Sequence, residues 1–83
     1  MNASTPSDLP ALPEMQHGRY RHYKGGMYEV IGVARHSETG AALVVYRPLQ
    51  PGADWWVRPH EMFQQTVDVN GVATPRFEFV APM

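Results

Sequence analysis

Residues 18–35 read GRYRHYKGGMYEVIGVAR, and this stretch decides the fold of the chain. Two runs rich in aromatic and β-branched residues flank the turn sequence of Lys24, Gly25 and Gly26, so the stretch predicts a β-hairpin. Gly32 interrupts the second run, where a missing side chain typically marks a bulge or a sharp bend. The hairpin is therefore expected to belong to a small, bent sheet.

Short strand-forming segments continue along the rest of the chain. Residues 59–63 place a proline at a first helical position and predict one turn of helix. Asn70 and Gly71 form a strong hairpin signal, and Pro75 places the strand after them at an edge or a break. The further strands are expected at residues 42–46, 55–58, 66–69 and 76–80, with a return strand beginning at Val72.

An inventory of five or six short strands and one helical turn predicts a mainly all-β fold. Closure into a barrel removes the unpaired strand edges that so small a sheet cannot otherwise protect. We therefore expect residues 17–83 to form a single domain, an SH3-like, strongly bent antiparallel barrel. The expected core consists of Leu43, Val45, Val30 or Ile31, Trp55, Phe77 and Phe79.

Residues 1–16 differ in composition from the rest of the chain. They carry three prolines among short polar residues, a mixture that resists both helix and sheet. We expect a disordered N-terminal tail without fixed tertiary contacts. The alternative is a short amphipathic turn in which Leu9, Leu12 and Met15 dock on the barrel.

Composition excludes several classes of function. The 83 residues suffice for one small domain. The 7 basic and 8 acidic residues give a net charge of −1, so the overall field that draws proteins to nucleic acid is missing, and only a local basic patch remains open. The lack of cysteine excludes disulfides and cysteine nucleophiles. The sequence shows no signal or membrane-spanning segment, so the expected location is the cytoplasm, with no membrane partner.

Trp55 and Trp56 are the most informative pair, because adjacent residues of a strand face opposite sides of a sheet. Val57 shares a face with Trp55, and Arg58 shares a face with Trp56. We therefore expect Trp55 to point inward and Trp56 to form a recognition surface with Arg58. The alternative is that Trp56 covers the open end of the barrel.

Residues 19–24 interleave three positive charges with aromatic side chains. By strand alternation, Tyr20, His22 and Lys24 share one face. Such interleaving suits phosphate contact combined with base stacking, so nucleic acid is one candidate partner. The surface expected from these patterns is continuous and partly accessible, and it contains His22, Lys24, His36, Trp56 and Arg58.

The chain contains four histidines: His17, His22, His36 and His60. They lack the spacing of a helical metal site, and no compact carboxylate cluster accompanies them, so we expect neither a metal nor a cofactor. Ser37 stands between His36 and Glu38 like a nucleophile between a base and an acid, yet triad partners normally come from distant segments. We interpret residues 36–40 as a turn stabilised by its own polar side chains.

Seven short motifs together form a recognisable pattern: residues 20–25 (YRHYKG), 28–30 (YEV), 34–39 (ARHSET), 43–46 (LVVY), 56–59 (WVRP), 62–63 (MF) and 75–77 (PRF). With these motifs, the chain from Gly18 to Phe79 resembles the bacterial family known as domain of unknown function 1653. The resemblance implies no activity. It does imply that polar motif residues cluster around His36, Glu38, Arg58 and Arg76, as either a buried ion-pair network or a binding site.

The leading hypothesis is a non-catalytic binding module that recognises a peptide, a nucleic acid or a small anionic ligand. No catalytic residue is assigned, and the candidate binding residues are Tyr20, His22, Lys24, His36, Glu38, Trp56, Arg58 and Arg76. The alternative is a small enzyme or ligand-hydrolysing domain using His36 or His22 with Glu38, which requires these groups to converge in a pocket. A third hypothesis is a structural homodimer built through an exposed strand edge.

Overall fold

The computed structural model describes residues 9–83 and contains seven strands and one short helix. The elements are β1 (Gly18–His22), β2 (Met27–Arg35), β3 (Ala42–Pro48), β4 (Trp56–Pro59), α1 (His60–Phe63), β5 (Thr66–Val69), β6 (Val72–Pro75) and β7 (Phe77–Ala81). The prediction of a mainly β chain with one helical turn is confirmed. Within residues 9–83, no helix is long and apolar enough to cross a membrane.

Five strands form the main sheet, in the order β4-β3-β2-β1-β7, and every neighbouring pair is antiparallel. The predicted hairpin is present as β1 and β2, with Tyr20 opposite Tyr28. The pairing of β2 with β3 shifts register between Val30 and Gly32, so the glycine in β2 does mark a bulge. Strands β5 and β6 form a separate two-stranded sheet.

The main sheet is strongly bent. The Cζ atom of Arg58 on β4 lies 5.7 Å from the ring centroid of Phe77 on β7, although these strands are the two edges of the sheet. In a flat sheet the edges would lie about 19 Å apart, since each strand spacing is about 4.8 Å. The two edges are nevertheless not hydrogen-bonded to each other in the described chain, so the expected closure is not reached. Pro59 ends the four-residue β4 and lacks an amide donor, which limits this edge.

The expected five or six strands in one sheet also need correction. Residues 66–75 leave the main sheet as the β5–β6 hairpin, whose turn contains Asn70 at φ 53° and Gly71 at φ 82°. These positive angles are those of the predicted Asn-Gly hairpin turn. Asp68 Oδ1 accepts the Gly71 amide at 2.7 Å and stabilises the turn. At the base of the hairpin, the Arg76 amide donates to the Gln65 carbonyl at 2.9 Å.

The core lies on the concave face of the main sheet and under α1. Its buried side chains are Tyr20, Val30, Val44, Tyr46, Phe63 and Phe77. Val30 and Phe77 confirm the expectation, whereas Leu43, Val45 and Phe79 are only half-buried. Residues 42–46 are apolar on both faces, so their pattern does not reveal that the face of Val44 and Tyr46 is the buried one.

The prediction that Trp55 points inward is wrong. Trp55 is 64% exposed, and Val57, the residue thought to share its inward face, is also exposed. Strand register explains the error: Val57 pairs with Val45, and Arg58 pairs with the buried Val44. The face of β4 that carries Trp56 and Arg58 is therefore the one turned toward the core.

Residues 9–16 contact the domain in ways that differ from a tail without tertiary contacts. The Tyr20 hydroxyl donates to the Gln16 carbonyl at 2.7 Å, and Met15 packs against the core. Arg35 donates to the Pro10 carbonyl. These contacts are of the kind expected from the docking alternative. The part of the tail prediction that concerns residues 1–8 lies outside the described residues.

Candidate aromatic and basic binding site

Four rings from four strands meet at one end of the concave face. His22, Tyr28, Tyr46 and Phe77 form this aromatic floor. The Phe77 centroid lies 4.9 Å from His22, 5.5 Å from Tyr28 and 5.9 Å from Tyr46. Strand register explains the meeting, because His22 pairs with Phe77 and the bend brings the other strands over them.

Helix α1 supports the aromatic floor from within the core. Phe63 is 1% exposed and stacks on Phe77, with centroids 4.0 Å apart and ring planes 5° apart. Pro59 immediately precedes the helix and, with its fixed φ, sets the chain direction that delivers Phe63 to this position. The floor is therefore held by packing as well as by the sheet.

Three cationic residues lie next to the floor. Arg58 lies over the Phe77 ring, and its Nε donates to the Tyr46 hydroxyl at 3.4 Å. Arg76 directly precedes Phe77, and its Nη2 donates to Gln65 Oε1 at 3.4 Å. The Arg76 Nε is buried without an acceptor among residues 9–83. Lys24 follows His22 in the β1–β2 turn and places its Nζ 5.8 Å from the Tyr23 centroid.

The charges of all three cationic residues act on the imidazole of His22. Partial burial lowers its pKa from the ordinary value of 6.5, and Arg76, Arg58 and Lys24 lower it further by repelling a proton. Nδ1 also accepts the Lys24 amide at 3.1 Å, a bond that requires the unprotonated nitrogen. At neutral pH His22 is therefore a neutral ring within a positively charged group.

The acidic partners of other arginines lie on the opposite face of the sheet. Arg47 pairs with Glu29 at 2.8 Å, and Arg21 approaches Glu78 at 3.9 Å. Within residues 9–83 these are the two salt bridges, so Lys24, Arg58 and Arg76 are not paired with a carboxylate there. We call the group of His22, Lys24, Arg58, Arg76 and the neighbouring Trp56 the cationic patch.

Trp56 extends the patch at the edge of the sheet. It pairs with Tyr46 across β3 and β4, lies on the same face as Arg58, and is 57% exposed. So large an exposed ring is unusual in a small domain that uses most of its aromatics in the core. Trp56 therefore offers an aromatic contact surface next to the Arg58 guanidinium.

The structure separates three of the sequence-predicted residues from the patch. Tyr20 is buried in the core, where burial raises the pKa of its hydroxyl and its ring makes edge contacts with Phe63 and Phe79. His36 and Glu38 lie in the turn after β2, whereas His22 lies beside the turn before it. Nine residues of strand separate the two turns, which corresponds to about 25 Å.

The polar side chains of the β2–β3 turn are used by the turn itself. His36 Nδ1 accepts the amides of Glu38 at 3.1 Å and Thr39 at 3.4 Å, and Thr39 Oγ1 accepts the Ala41 amide at 3.2 Å. This agrees with the interpretation of residues 36–40 as a self-stabilised turn. Of the two pairs in the enzyme hypothesis, His22 and Glu38 lie at opposite ends of β2, and His36 lies beside Glu38 with its Nδ1 bonded to turn amides.

Sequence reasoning missed Tyr28, Tyr46 and Phe77 as parts of a site. The motifs contained them, but each was explained as a strand or core residue. Their meeting depends on the register of the hairpin and on the bend of the sheet, and the pattern of a single strand contains neither. The short hairpin turn was the available signal of this arrangement, because it places Tyr28 opposite Tyr20 and thus on the same face of the sheet.

A second concavity, of about 400 Å³, lies away from the cationic patch. It is lined by Leu12, Pro13, Glu14, Met15, His17, Gly32 and Val33. None of the sequence-predicted site residues belongs to it, and its lining combines apolar side chains with the polar Glu14 and His17. Among residues 9–83, no group of three or more His, Asp or Glu side chains is arranged to hold a metal ion.

The fold and the patch together define a small, strongly bent β-sheet protein with an aromatic and basic surface. The chain belongs to the family described as protein of unknown function (DUF1653), whose model matches residues 18–79. It is similar to the crystal structure of a protein of this family from Bordetella bronchiseptica, with 36% sequence identity and a TM-score of 0.76. The similarity covers 88% of this chain and 96% of that one. No curated protein matches the chain.

Proposed function

We propose that this protein is a non-catalytic binding module that recognises an anionic group at the cationic patch. The observation that carries the proposal is the position of Arg58 over the Phe77 ring beside His22, with Arg76 and Lys24 near enough to lower the pKa of His22 and none of the three paired with a carboxylate in the described chain. Like charges gathered on an apolar floor repel one another, and a bound anion relieves that repulsion. The patch thus offers a stronger attraction for an anion than a scattered set of surface cations.

The aromatic floor adds to this preference. Tyr46 and Phe77 lie against Arg58 and replace water on one side of its guanidinium, which strengthens its attraction for an anion. The outer guanidinium nitrogens of Arg58 and Arg76 supply donors in a planar geometry suited to carboxylate or phosphate oxygens. No nucleophile with an adjacent base lies among the patch residues, so binding is the better-supported role.

The proposal is tested by titrating the protein with inorganic phosphate at constant ionic strength while recording two-dimensional NMR spectra. We expect saturable shifts of the His22, Lys24, Arg58 and Arg76 resonances. The Arg58→Gln and Arg76→Gln double variant should lose the response, and Lys24→Gln should weaken it. The matched control is Arg19→Gln, because Arg19 is exposed on the opposite face and should leave the response intact.

Two results would contradict anion recognition at this patch. One is an absence of shifts at millimolar phosphate in a folded protein. The other is an equal loss of response in Arg19→Gln, which would show that general surface charge, rather than the patch, attracts the anion.

Two further parts of the proposal concern the relation of the fold to known barrels and the cellular location of the protein. We propose that the main sheet is an open variant of the SH3-like barrel, which is supported by the approach of Arg58 on β4 to Phe77 on β7. We also propose a bacterial, cytoplasmic setting. Similarity to the Bordetella bronchiseptica protein supports the bacterial part.

A further inference from the structure

We infer that the anion bound by the cationic patch is a phosphate monoester joined to a planar ring, as in a nucleoside monophosphate. In this arrangement the phosphate lies at Arg58 and Arg76, and the base stacks on Trp56. The inference rests on the proposed function and deepens it by naming the ligand class.

The arrangement of the cations favours a compact anion over an extended one. Lys24 comes from the β1–β2 turn, Arg58 from β4, and Arg76 from the residue before β7. Arg58 lies over the Phe77 ring, whose centroid is 4.9 Å from His22, and the charges of Arg76, Arg58 and Lys24 all act on the His22 ring. Lys24 is bonded to His22 through its backbone amide, and its ammonium lies 5.8 Å from the Tyr23 centroid. Arg58 at the Phe77 ring, with Arg76 and Lys24 nearby, matches a doubly charged group such as a phosphate monoester, whereas a single carboxylate would leave part of the positive charge uncompensated.

The position of Trp56 favours a planar ring next to that anion. Trp56 and Arg58 lie two residues apart on the same face of β4, a separation of about 6–7 Å along the strand. Trp56 is more than half exposed, so its indole is accessible to a planar ligand. A ribose is a spacer of suitable size between a base on Trp56 and a phosphate at the guanidinium groups, and stacking on aromatic side chains accepts any base.

Two other partners fit the surface less well. An extended nucleic acid needs a basic track, but two of the other arginines are paired with Glu29 and Glu78 on the opposite face. A peptide that adds a strand to β4 would find only four residues ending in Pro59, a typical protection of an edge. The patch is thus better suited to a small ligand than to a polymer.

The ligand class is tested by calorimetry and NMR titration with four probes: adenosine 5′-monophosphate, inorganic phosphate, adenosine and O-phosphotyrosine. We expect adenosine 5′-monophosphate to bind about tenfold more tightly than phosphate, since one stacked base contributes on that order. Adenosine alone should bind more weakly than the monophosphate. Phosphotyrosine should bind no better than inorganic phosphate, because its phosphate sits too close to its ring to span Trp56 and the arginines.

Variants of Trp56 separate the ring contact from the phosphate contact. Trp56→Leu should abolish the preference for adenosine 5′-monophosphate over inorganic phosphate. Trp56→Phe retains a ring and should keep most of the preference for the nucleotide. Because Trp56 is exposed, both variants are expected to fold, and their spectra report this directly.

The outcomes distinguish this inference from the proposed function. Phosphate binding without a preference for the nucleotide would overturn the ligand class and leave anion recognition in place. Tighter binding of phosphotyrosine than of the nucleotide would also overturn it. A nucleotide preference that survives Trp56→Leu would show that the base does not stack on Trp56. Failure of every probe in the folded protein would remove both the inference and the proposed function.

Discussion

At the scale of single residues, His22 links the charge of the patch to pH. Burial and the three neighbouring cations lower its pKa below 6.5, so the folded state disfavours the protonated ring relative to the unfolded chain. Between the lowered pKa and 6.5 the unfolded state binds more protons. The free energy of unfolding should therefore rise with pH through this window, and the contribution of His22 is lost as pH falls through its folded pKa.

The corresponding measurement is an NMR pH titration of the His22 ring. We expect a midpoint below 6.5 that moves upward in Arg76→Gln and in Arg58→Gln, because each variant removes a repelling charge. Arg19→Gln serves as the control and should leave the midpoint unchanged. A midpoint that neither Arg76→Gln nor Arg58→Gln moves would show that these arginines do not act on His22.

Phe63 and Trp55 allow a comparison of two large aromatic side chains, because the first is buried and the second is exposed. Phe63 is buried and stacked on Phe77, so Phe63→Ala should lower the free energy of unfolding by about 3–5 kcal/mol. Trp55→Ala should change it by less than about 0.5 kcal/mol, since Trp55 is largely exposed. Urea denaturation measures both. If Phe63→Ala does not fold, Phe63→Leu should still lose more stability than Trp55→Ala.

Similar losses in the two variants would contradict the burial pattern. A large loss in Trp55→Ala alone would restore the sequence-based view that Trp55 is the inward-facing residue. The outcome therefore decides which face of β4 is turned toward the core.

At the scale of elements, two glycines show how differently strands tolerate a side chain. Gly18 begins β1 at φ 133°, and a Cβ there would lie 2.6 Å from the Ala81 carbonyl oxygen of β7. Gly18→Ala should therefore destabilise the protein by about 2–4 kcal/mol, through backbone strain and overpacking. At Gly32, in the bulge of β2, the nearest atoms to such a Cβ belong to the His17 ring at 3.9 Å.

Gly32→Ala should thus change stability by no more than about 1 kcal/mol, because the space is open and alanine restricts the unfolded chain. Thermal unfolding of both variants provides the measurement. A larger loss at Gly32 than at Gly18 would show that the bulge, rather than the junction of β1 with β7, requires the glycine.

The segment of residues 9–16 is the other element whose contribution is open to measurement. Met15 packs against the core and Gln16 accepts the Tyr20 hydroxyl, so a chain that begins at residue 16 loses the Met15 contact. We expect it to be less stable by about 1–2 kcal/mol than a chain that begins at residue 9, since partial burial of one Met side chain is worth about this much. Equal melting temperatures would support the sequence-based expectation of a tail without fixed contacts.

At the scale of the whole molecule, the sequence predicted the strands better than their arrangement. The hairpin of β1 and β2, the bulge at Gly32 and the Asn70-Gly71 turn depend on short-range chemistry, and each is present. The buried face of residues 42–46 depends on which neighbours pair with them, because both faces are apolar. The failure of closure is likewise a property of the two distant edges β4 and β7.

The candidate site follows the same division. Arg58 and Arg76 stand out in sequence as polar motif residues where a barrel needs apolar ones, and His22 and Lys24 stand out in the basic and aromatic run of residues 19–24. His36 and Glu38 carry the same signal, yet they form a turn at the other end of β2. Residue type therefore identifies candidate polar residues, whereas the strand register and the bend of the sheet decide which of them share a surface.

The distribution of charge over the whole molecule leads to a last prediction, concerning salt. The chain has 7 basic and 8 acidic residues, so the body outside Lys24, Arg58 and Arg76 retains 4 basic and 8 acidic residues, a net charge of −4. A polyanion that reaches beyond the patch is therefore repelled by the rest of the molecule.

With 5′-phosphorylated oligonucleotides of increasing length, we expect affinity to stop rising after the first few nucleotides. A plot of the logarithm of the association constant against the logarithm of salt concentration should have a slope no steeper than about −2. This limit follows because each neutralised phosphate contributes about −0.7 to the slope, and the patch has three cations. Fluorescence anisotropy at several salt concentrations measures both quantities. A slope that steepens steadily with oligonucleotide length would instead reveal a basic track and make a nucleic acid polymer the partner.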